Sequence, residues 1–184
     1  SIGGNMREQP PGDDLNEETE GAPSVPDWHY AYIAGLVDHH GNIVVTIGKD
    51  DNRRIGYRVM VECRIKTERQ NAVEFFDAFF NAHNLPVRQT IHEDQVYPTH
   101  EYVLSQRQAV KTFLQLIRPY LIAREAAVDH LCTTIIPALE AGDHRTKESF
   151  LELMKEIEQF RAAVGRGNRT KYDYEYFANE WEDS

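Results

Sequence analysis

The chain lacks several features that would each place it in a definite class of protein. It contains no run of about 18 apolar residues, so we expect no membrane-spanning helix. Its only two cysteines, Cys63 and Cys132, lie far apart among apolar neighbours, which argues against a disulfide framework and suits a reducing cytoplasm. The first residues lack the basic, apolar and cleavable regions of a secretory signal. We therefore expect a cytoplasmic protein.

An excess of basic residues is also missing. Lys and Arg number 20 against 30 Asp and Glu, which gives a formal net charge of −10. A protein that binds a polyanion is normally basic, because contacts to phosphates supply much of the affinity, so the overall charge argues against a nucleic-acid ligand. Many of the acids, however, cluster in segments 13–20 and 180–183. At the two ends of the chain they need not contact a ligand.

The distribution of apolar residues predicts one tail followed by one folded domain. Residues 1–26 are rich in Gly, Pro, Asn and acids and show no apolar periodicity, so we expect a disordered acidic tail. The total of 184 residues, 41% of them hydrophobic, suits one domain with a substantial core, which we assign to residues 27–184. Asp27 is the predicted N-cap of a first helix that ends at Gly41.

Alternation and helical spacing predict the remaining elements. Strands are expected from Asn42 and from Tyr57 to Lys66, where apolar and polar residues alternate, and then at 87–92 and 102–105. Helices are expected at about 70–83, 110–117, 122–140 and 174–181, and Pro137 should break the last turn of the third. A further amphipathic helix should follow Thr146 as its cap and end before a turn at 165–168. The resulting order, αββαββααα, predicts an α+β fold with two hairpins in one antiparallel sheet and helices on one face.

Residues 33–41 read Ile-Ala-Gly-Leu-Val-Asp-His-His-Gly and resemble the LAGLIDADG motif of homing endonucleases, enzymes that cut DNA at long target sites. Every position matches or is a conservative replacement except His39 and His40. Segment 119–125 resembles the family's stretch after the second hairpin, where a basic residue reaches the active site, and Arg124 matches that residue. The resemblance covers about residues 28–165. It implies an αββαββα core whose four-stranded antiparallel saddle lies along DNA.

The single copy of the motif resembles the family members that act as homodimers. In those proteins the two motif helices pack on each other, which here implies contacts through Ala34, Gly35 and Val37 and a pseudo-palindromic target site. The alternative for this segment is packing within one chain, because Ala and Gly let any two helices approach closely.

The periodicity of the strands nominates the residues that would contact DNA. The candidates are Arg58, Arg64 and Lys66 on the second strand, Thr46 on the first, and, more weakly, Arg88, His92 and Glu101 on the third and fourth. Arginine pairs bidentately with guanine in the major groove, and both Arg and Lys contact phosphates. The alternative is a solvated strand face that carries ordinary surface charges.

The resemblance also bears on cleavage. The family holds Mg²⁺ with carboxylate and carbonyl oxygens at the ends of the motif helices, and the acid before the final Gly binds the metal. Here that acid is replaced by His40, a softer nitrogen ligand, while Asp38 matches the acid that mainly caps the helix end. Thr67 and Asn71 also lie where the family usually has Gln and basic residues. We expect cleavage to be lost or weakened, with Arg124, His40 and Asp38 as candidate catalytic residues and the last two as candidate metal ligands.

Other interpretations stay open at the level of the sequence. An active endonuclease could use His40 in an altered site, where Mn²⁺ should support cleavage better than Mg²⁺, and the His39–His40 pair could instead bind Zn²⁺ or Ni²⁺ across a dimer axis. The scaffold could serve regulation, or RNA binding in intron splicing, as some members of the family do. A protein of another class would be an acidic α+β interaction module that never meets nucleic acid.

The acidic, lysine-poor composition is typical of proteins that stay soluble in concentrated salt, and we propose a halophilic source. We expect the chain to lose folded structure in dilute buffer and to regain it as KCl is added, because salt screens the repulsion among the excess carboxylates. Circular dichroism across a salt series measures this. A chain that is fully folded in dilute buffer would contradict the proposal.

Overall fold

The computed structural model describes residues 25–94, 96–165 and 170–182. The predicted acidic tail therefore lies almost entirely outside the described residues, as does most of the predicted turn at 165–168. The strands are β1 (Asn42–Lys49), β2 (Tyr57–Thr67), β3 (Arg88–His92) and β4 (Thr99–Leu104). The helices are α1 (Asp27–His39), α2 (Gln70–Ala82), α3 (Arg107–Ile117), α4 (Glu125–His130), α5 (Ile136–Ala141), α6 (Lys147–Val164) and α7 (Tyr174–Glu182).

The four strands form one antiparallel sheet in the order β1-β2-β4-β3, so the second strand of each hairpin lies at the centre. Successive side chains of a strand point to opposite faces. One face carries apolar side chains that are buried against the helices, among them Ile43, Val45, Cys63, Ile65 and Tyr102. We call the opposite side the open face. The predicted α+β fold, with a four-stranded antiparallel sheet backed by helices, is confirmed.

The start of α1 differs from the prediction. Pro26, with φ −59° and ψ 144°, is the N-cap residue, and Asp27 is the first residue of the helix. The prediction that Asp27 caps α1 is therefore wrong, because a cap residue needs the extended backbone that Pro26 has and Asp27 lacks. The charge of Asp27 still lies in the first turn, where the helix dipole favours an acid. The helix ends at His39, and the backbone N–H groups of His40 and Gly41 both donate to the Leu36 carbonyl.

The prediction that Pro137 breaks the last turn of one helix is also wrong. A π-helical segment, Leu131–Ile135, joins α4 to α5, and Pro137 lies in the first turn of α5. Proline is tolerated there because its missing N–H costs little at the start of a helix, and the wider π turn relieves the clash of its ring with the preceding turn. The chain therefore continues in helical form to Ala141.

The last two helices cover the apolar face of β1 and β2. Thr146 caps α6 as predicted, and its hydroxyl accepts a hydrogen bond from the Ser149 N–H at 3.3 Å. Arg161 of α6 reaches the sheet, where its Nη2 donates to the Val45 carbonyl at 2.8 Å. In α7, Phe177 is fully buried, and its ring lies 4.8 Å from the ring of Tyr57. These contacts attach the C-terminal helices to the first hairpin.

Both cysteines are free and buried, in agreement with the expected absence of a disulfide framework. Burial raises the pKa of Cys63 to about 12 and that of Cys132 to about 11, so both thiols stay protonated at neutral pH. Within the described ranges, no helix is both long and apolar enough to cross a membrane.

Candidate nucleic-acid interface and active-site region

Asp38 lies in the last turn of α1 and is only 8% exposed. Its Oδ2 accepts hydrogen bonds from the backbone N–H of Ile122 at 2.7 Å and of Ala123 at 3.2 Å, and its Oδ1 accepts from the N–H of Arg124 at 3.0 Å. A buried carboxylate is stabilised when donors surround it in this way. Asp38 therefore holds the end of α1 against the segment that leads into α4.

Arg124 makes the reciprocal contact and is 7% exposed. Its Nη1 donates to the carbonyl of Val37 at 2.7 Å and also to the carbonyl of Gly41. The C-terminal end of a helix favours a cation, because its last carbonyls lack partners within the helix. We call this reciprocal arrangement the Asp38–Arg124 clamp. The structure gives Arg124 a place under the motif end, and its catalytic role stays a prediction.

The final glycine of the motif is required by a close approach of the backbone. A Cβ atom at Gly41 would lie 2.7 Å from the Cα of Val37 and 3.0 Å from the Val37 carbonyl oxygen. Contacts this short with backbone atoms cannot be relieved by a side-chain rotation. Gly41 therefore lets the chain turn from α1 directly into β1 while its carbonyl faces Arg124.

His40 follows α1 as its C-cap residue and is exposed, as is His39. An open groove, which we call the motif groove, is lined by His40, Lys66, Thr67, Glu68, Arg69, His92, Asp94 and Thr99. The structure thus brings together His40 and two of the predicted DNA-binding residues, Lys66 and His92. Asp38 and Arg124 are not among the lining residues and lie buried in the clamp.

The atoms that could bind a metal at the motif end do not fit a Mg²⁺ site. Both carboxylate oxygens of Asp38 already accept backbone hydrogen bonds, and the Gly41 carbonyl accepts one from the guanidinium of Arg124. His40 contributes nitrogen, whereas Mg²⁺ prefers oxygen ligands in a near-octahedral arrangement. In residues 25–94, 96–165 and 170–182, no group of three or more His, Cys, Asp or Glu side chains could hold a metal ion.

The strand register places all seven residues nominated for DNA contact on the open face. Side chains that pair across neighbouring strands share a face, which relates Thr46 to Met60, Arg64 to Val103 and Arg88, and Thr99 to His92. The open face therefore carries Thr46, Arg58, Arg64, Lys66, Arg88 and His92, together with Glu62 and Glu101. Four Arg or Lys side chains share it with two carboxylates, so its formal charge is positive in a chain of net charge −10.

Several of these cations already have partners within the protein. The Nη2 of Arg64 lies 2.8 Å from Glu62, and this hydrogen bond raises the pKa of Arg64 above its ordinary value. Glu101, only 6% exposed, lies 3.6 Å from Arg64, 3.4 Å from Lys66 and 3.7 Å from His92. Arg58 and Arg88 form no ion pair with any other described residue. The two arginines are therefore the cations most available to an external anion.

The partners of the open-face cations were only partly foreseen from the sequence. On sequence grounds Glu101 is a weak candidate for DNA contact, whereas the structure places it beside three basic side chains. The spacing of Glu62 and Arg64 on one strand did carry a signal, because residues i and i+2 share a face. The pairing of Lys66 with Glu101 depends on the register between β2 and β4, which no local pattern contains.

Ala34 and Val37 are fully buried in the core of their own chain, which corrects the prediction that they contact a partner helix. Gly35, between them, is exposed, and a Cβ atom there would meet nothing within 4 Å. Of the three residues predicted for a dimer interface, only Gly35 lies on the outer face of α1.

Aromatic side chains flank Gly35 on this outer face. Trp28 is 61% exposed and Tyr32 is 46% exposed, although both belong to large apolar residue types. Their rings lie 5.8 Å and 5.2 Å from the ring of Phe75 in α2. The outer face of α1 therefore combines a small residue with a partly exposed aromatic surface, which is typical of a helix that packs against a partner.

Comparison with solved structures identifies the fold. The chain is similar to homing endonuclease I-CvuI in complex with the I-CreI target, with a TM-score of 0.67 and 16% identity over 85% of this chain and 94% of that one. It is similar to the archaeal intron-encoded homing endonuclease I-Vdi141I complexed with DNA, with a TM-score of 0.68 and 18% identity over 86% of this chain and 99% of that one. It is also similar to the I-LtrWI LAGLIDADG homing endonuclease bound to target DNA. The TM-score is 0.65, and the identity is 16% over 84% of this chain and 49% of that one.

Neither a family model nor a curated protein matches the chain. At these low identities the structural likeness shows the fold alone. The chain has the fold of LAGLIDADG homing endonucleases, as the resemblance of residues 33–41 led us to expect.

The clamp predicts the effect of removing the charge of Asp38. In Asp38→Asn an amide nitrogen, which donates, faces a backbone N–H that also donates. We expect the free energy of unfolding to fall by roughly 2–4 kcal/mol, since charged hydrogen bonds are lost and buried donors are left without acceptors. Urea unfolding measures this. Glu68→Gln, in the exposed wall of the motif groove, is the matched control and should change stability by about 0.5 kcal/mol or less. Equal stability of the two variants would contradict the role of Asp38.

Proposed function

We propose that the chain is a homodimeric protein that binds double-stranded DNA site-specifically through the open face of its sheet, and that its ability to cleave DNA is lost or severely weakened. The observation that carries the proposal is the open face itself. All seven residues nominated for DNA contact share the one side of the sheet that the helices leave free, and this side is positive in an acidic protein.

The solved neighbours support a DNA ligand. I-CvuI, I-Vdi141I and I-LtrWI share this fold and are described in complex with DNA. A two-stranded ribbon enters the major groove of B-DNA, and arginine reads guanine there. Arg58 and Arg88, exposed on β2 and β3 and without ion pairs to other described residues, suit such contacts. Arg64 and Lys66, already paired with carboxylates, suit them less.

The proposal that cleavage is weakened rests on the chemistry of the motif end. Structures of I-CvuI were obtained in the presence of Mg and of Ca, so divalent ions accompany this fold elsewhere. In this chain His40 supplies no carboxylate, and the guanidinium of Arg124 lies against the carbonyls that end α1. Because the resemblance gives the family a basic residue at the Arg124 position as well, the replacement of the acid by His40 is the change that supports weakened cleavage.

A dimer is proposed because the outer face of α1 suits a second copy of itself. Gly35 would allow the backbones of two α1 helices to approach closely, and Trp28, Tyr32 and Phe75 would bury apolar area beside that contact. A symmetric pair would bring two motif grooves and two open faces onto one duplex, which suits a pseudo-palindromic target. This is the same architecture that the sequence resemblance implies, with Gly35 rather than Ala34 and Val37 at the interface.

The DNA-binding proposal is tested by selecting bound duplexes from a random pool and measuring affinity and cleavage. We expect the wild-type chain to shift a selected duplex and to leave it uncut in Mg²⁺ and in Mn²⁺. The Arg58→Gln/Arg88→Gln variant should bind at least about tenfold more weakly, because a base or phosphate contact of each arginine is worth roughly 1–3 kcal/mol. Gel shifts at one fixed salt concentration measure both.

The charge-matched control is Lys111→Gln/Lys155→Gln, which removes two cations from helices α3 and α6. Its affinity for the selected duplex should stay within about twofold of wild type. Equal weakening of both variants would show a general effect of charge and would remove the open face from the proposal. Efficient double-strand cutting by the wild-type chain would overturn the proposed loss of cleavage.

The dimer is tested by Gly35→Leu. Because a Cβ at Gly35 meets nothing within 4 Å in one chain, the monomer should tolerate leucine and gain about 1 kcal/mol in helix propensity. Two α1 helices in close contact should not tolerate it, so sedimentation equilibrium should show a dimer for wild type and a monomer for the variant. Ala162→Leu, on the exposed side of α6, is the control and should stay dimeric. A monomeric wild type, or a dimeric Gly35→Leu protein, would contradict the interface.

A further inference from the structure

A second group of basic side chains lies at the opposite end of the sheet from the motif groove. The tip of the β1–β2 hairpin and the loop between α5 and α6 enclose a cavity of about 250 Å³. Its lining residues are Asn52, Arg53, Arg54, Ile55, Tyr57, His144 and Arg145, and we call it the arginine pocket. No lining residue is acidic. The volume is smaller than the roughly 300–1,000 Å³ of sites for drug-sized ligands, which favours a small anion.

Both loops are held in place by their own hydrogen bonds. In the hairpin tip, the Arg53 N–H donates to the Asp50 carbonyl and the Gly56 N–H donates to the Arg53 carbonyl, both at 3.0 Å. In the other loop, the Arg145 N–H donates to the Gly142 carbonyl at 3.0 Å. Hydrogen bonds therefore fix the backbone that carries the basic side chains.

The side chain of Arg145 passes close to Gly142. This glycine has φ +86°, and a Cβ atom there would lie 3.2 Å from Cδ and 3.4 Å from Nε of Arg145. The turn requires glycine for its backbone conformation, and the missing Cβ leaves room for the arginine side chain.

The pocket is electrostatically unbalanced. Among the described residues neither Arg54 nor Arg145 forms an ion pair, whereas Arg53 lies 3.3 Å from Asp50. Burial lowers the pKa of His144, and Arg107, Arg145 and Arg53 lower it further, while Asp143 opposes them. The three cations therefore disfavour protonation of His144, and the opposing effect of Asp143 is the smallest of these contributions.

Two polar atoms beside the pocket are also buried without partners. The Nδ1 of His144 and the Nη1 of Arg107 have no hydrogen-bond partner among the described residues. Arg107 reaches Glu140 through its Nε at 3.8 Å, which leaves the Nη1 group unsatisfied. Buried polar atoms of this kind cost free energy unless a ligand forms hydrogen bonds with them.

We propose that the arginine pocket binds a phosphate group. A phosphate carries up to two negative charges and accepts several hydrogen bonds, so it can bind two guanidinium groups and an imidazole at once. A metal ion would be repelled by the arginines, and a purely apolar ligand would leave them unpaired. Two sources offer this chemistry, free inorganic phosphate and a backbone phosphate of a nucleic acid that extends past the end of the sheet.

The test titrates the full-length chain with sodium phosphate by calorimetry, against sodium chloride at equal ionic strength. We expect saturable phosphate binding in the wild type, at least tenfold weaker binding in Arg54→Gln/Arg145→Gln, and unchanged binding in the charge-matched Lys111→Gln/Lys155→Gln control. Phosphate should also move the NMR titration of His144 to higher pH, because the anion stabilises the protonated ring. No saturable binding in the wild type, or equal weakening in both variants, would overturn the proposal.

A duplex selected by the wild-type chain separates the two sources. If the pocket takes a backbone phosphate, Arg54→Gln/Arg145→Gln should bind that duplex several-fold more weakly, and inorganic phosphate should compete. If it takes free phosphate, the affinity for the duplex should not change. A wild-type chain that binds phosphate but no DNA would contradict the proposed function and leave the arginine pocket supported, so the two failures are distinguishable.

Discussion

The hydrogen bonds of the Asp38–Arg124 clamp hold the end of α1 against the segment that leads into α4. Each side chain is charged and buried, and each binds backbone groups of the segment that carries the other. Either charge alone in that position would be strongly unfavourable. The clamp joins the end of α1, the start of β1 and the segment leading into α4, and so aligns the motif helix with the sheet and with the helices behind it. The arrangement of the open face relative to the motif groove follows from that alignment.

Binding and cutting make different demands on this scaffold. Binding needs a positive, solvent-facing sheet, which depends only on the alternation of the strands and the register between them. Hydrolysis by a metal ion needs carboxylate oxygens that are not already engaged. Here the carboxylate at the motif end accepts backbone hydrogen bonds, and the neighbouring residue is His40. The residues that hold the motif end in place are thus present in this chain, and the loss of its metal-binding oxygens is part of our proposal.

Local patterns were enough to predict most of the fold. The alternation along Tyr57 to Lys66 and the spacing of apolar residues in α6 depend on burial of one face, which the sequence records directly. The order of the strands and the pairing of Lys66 with Glu101 depend on contacts between distant segments, and no local pattern contains them. The sequence also did not predict which way each side chain of α1 points. Ala34 and Val37 face inward because their own chain covers that side of α1, so a motif match could not separate them from Gly35.

Glu101 gives the open face a property that the number of its cations does not suggest. A basic side chain that faces water attracts small anions, and a polyanion that binds it releases condensed cations into the solvent. Arg64, Lys66 and His92 instead lie beside a fixed carboxylate, so a polyanion must compete with a charge that cannot diffuse away. Binding to such a surface gains less from the entropy of released ions and therefore declines less steeply as the electrolyte becomes concentrated. If the open face binds DNA as proposed, Glu101 would act as a fixed counterion that lowers the affinity and makes it less sensitive to salt.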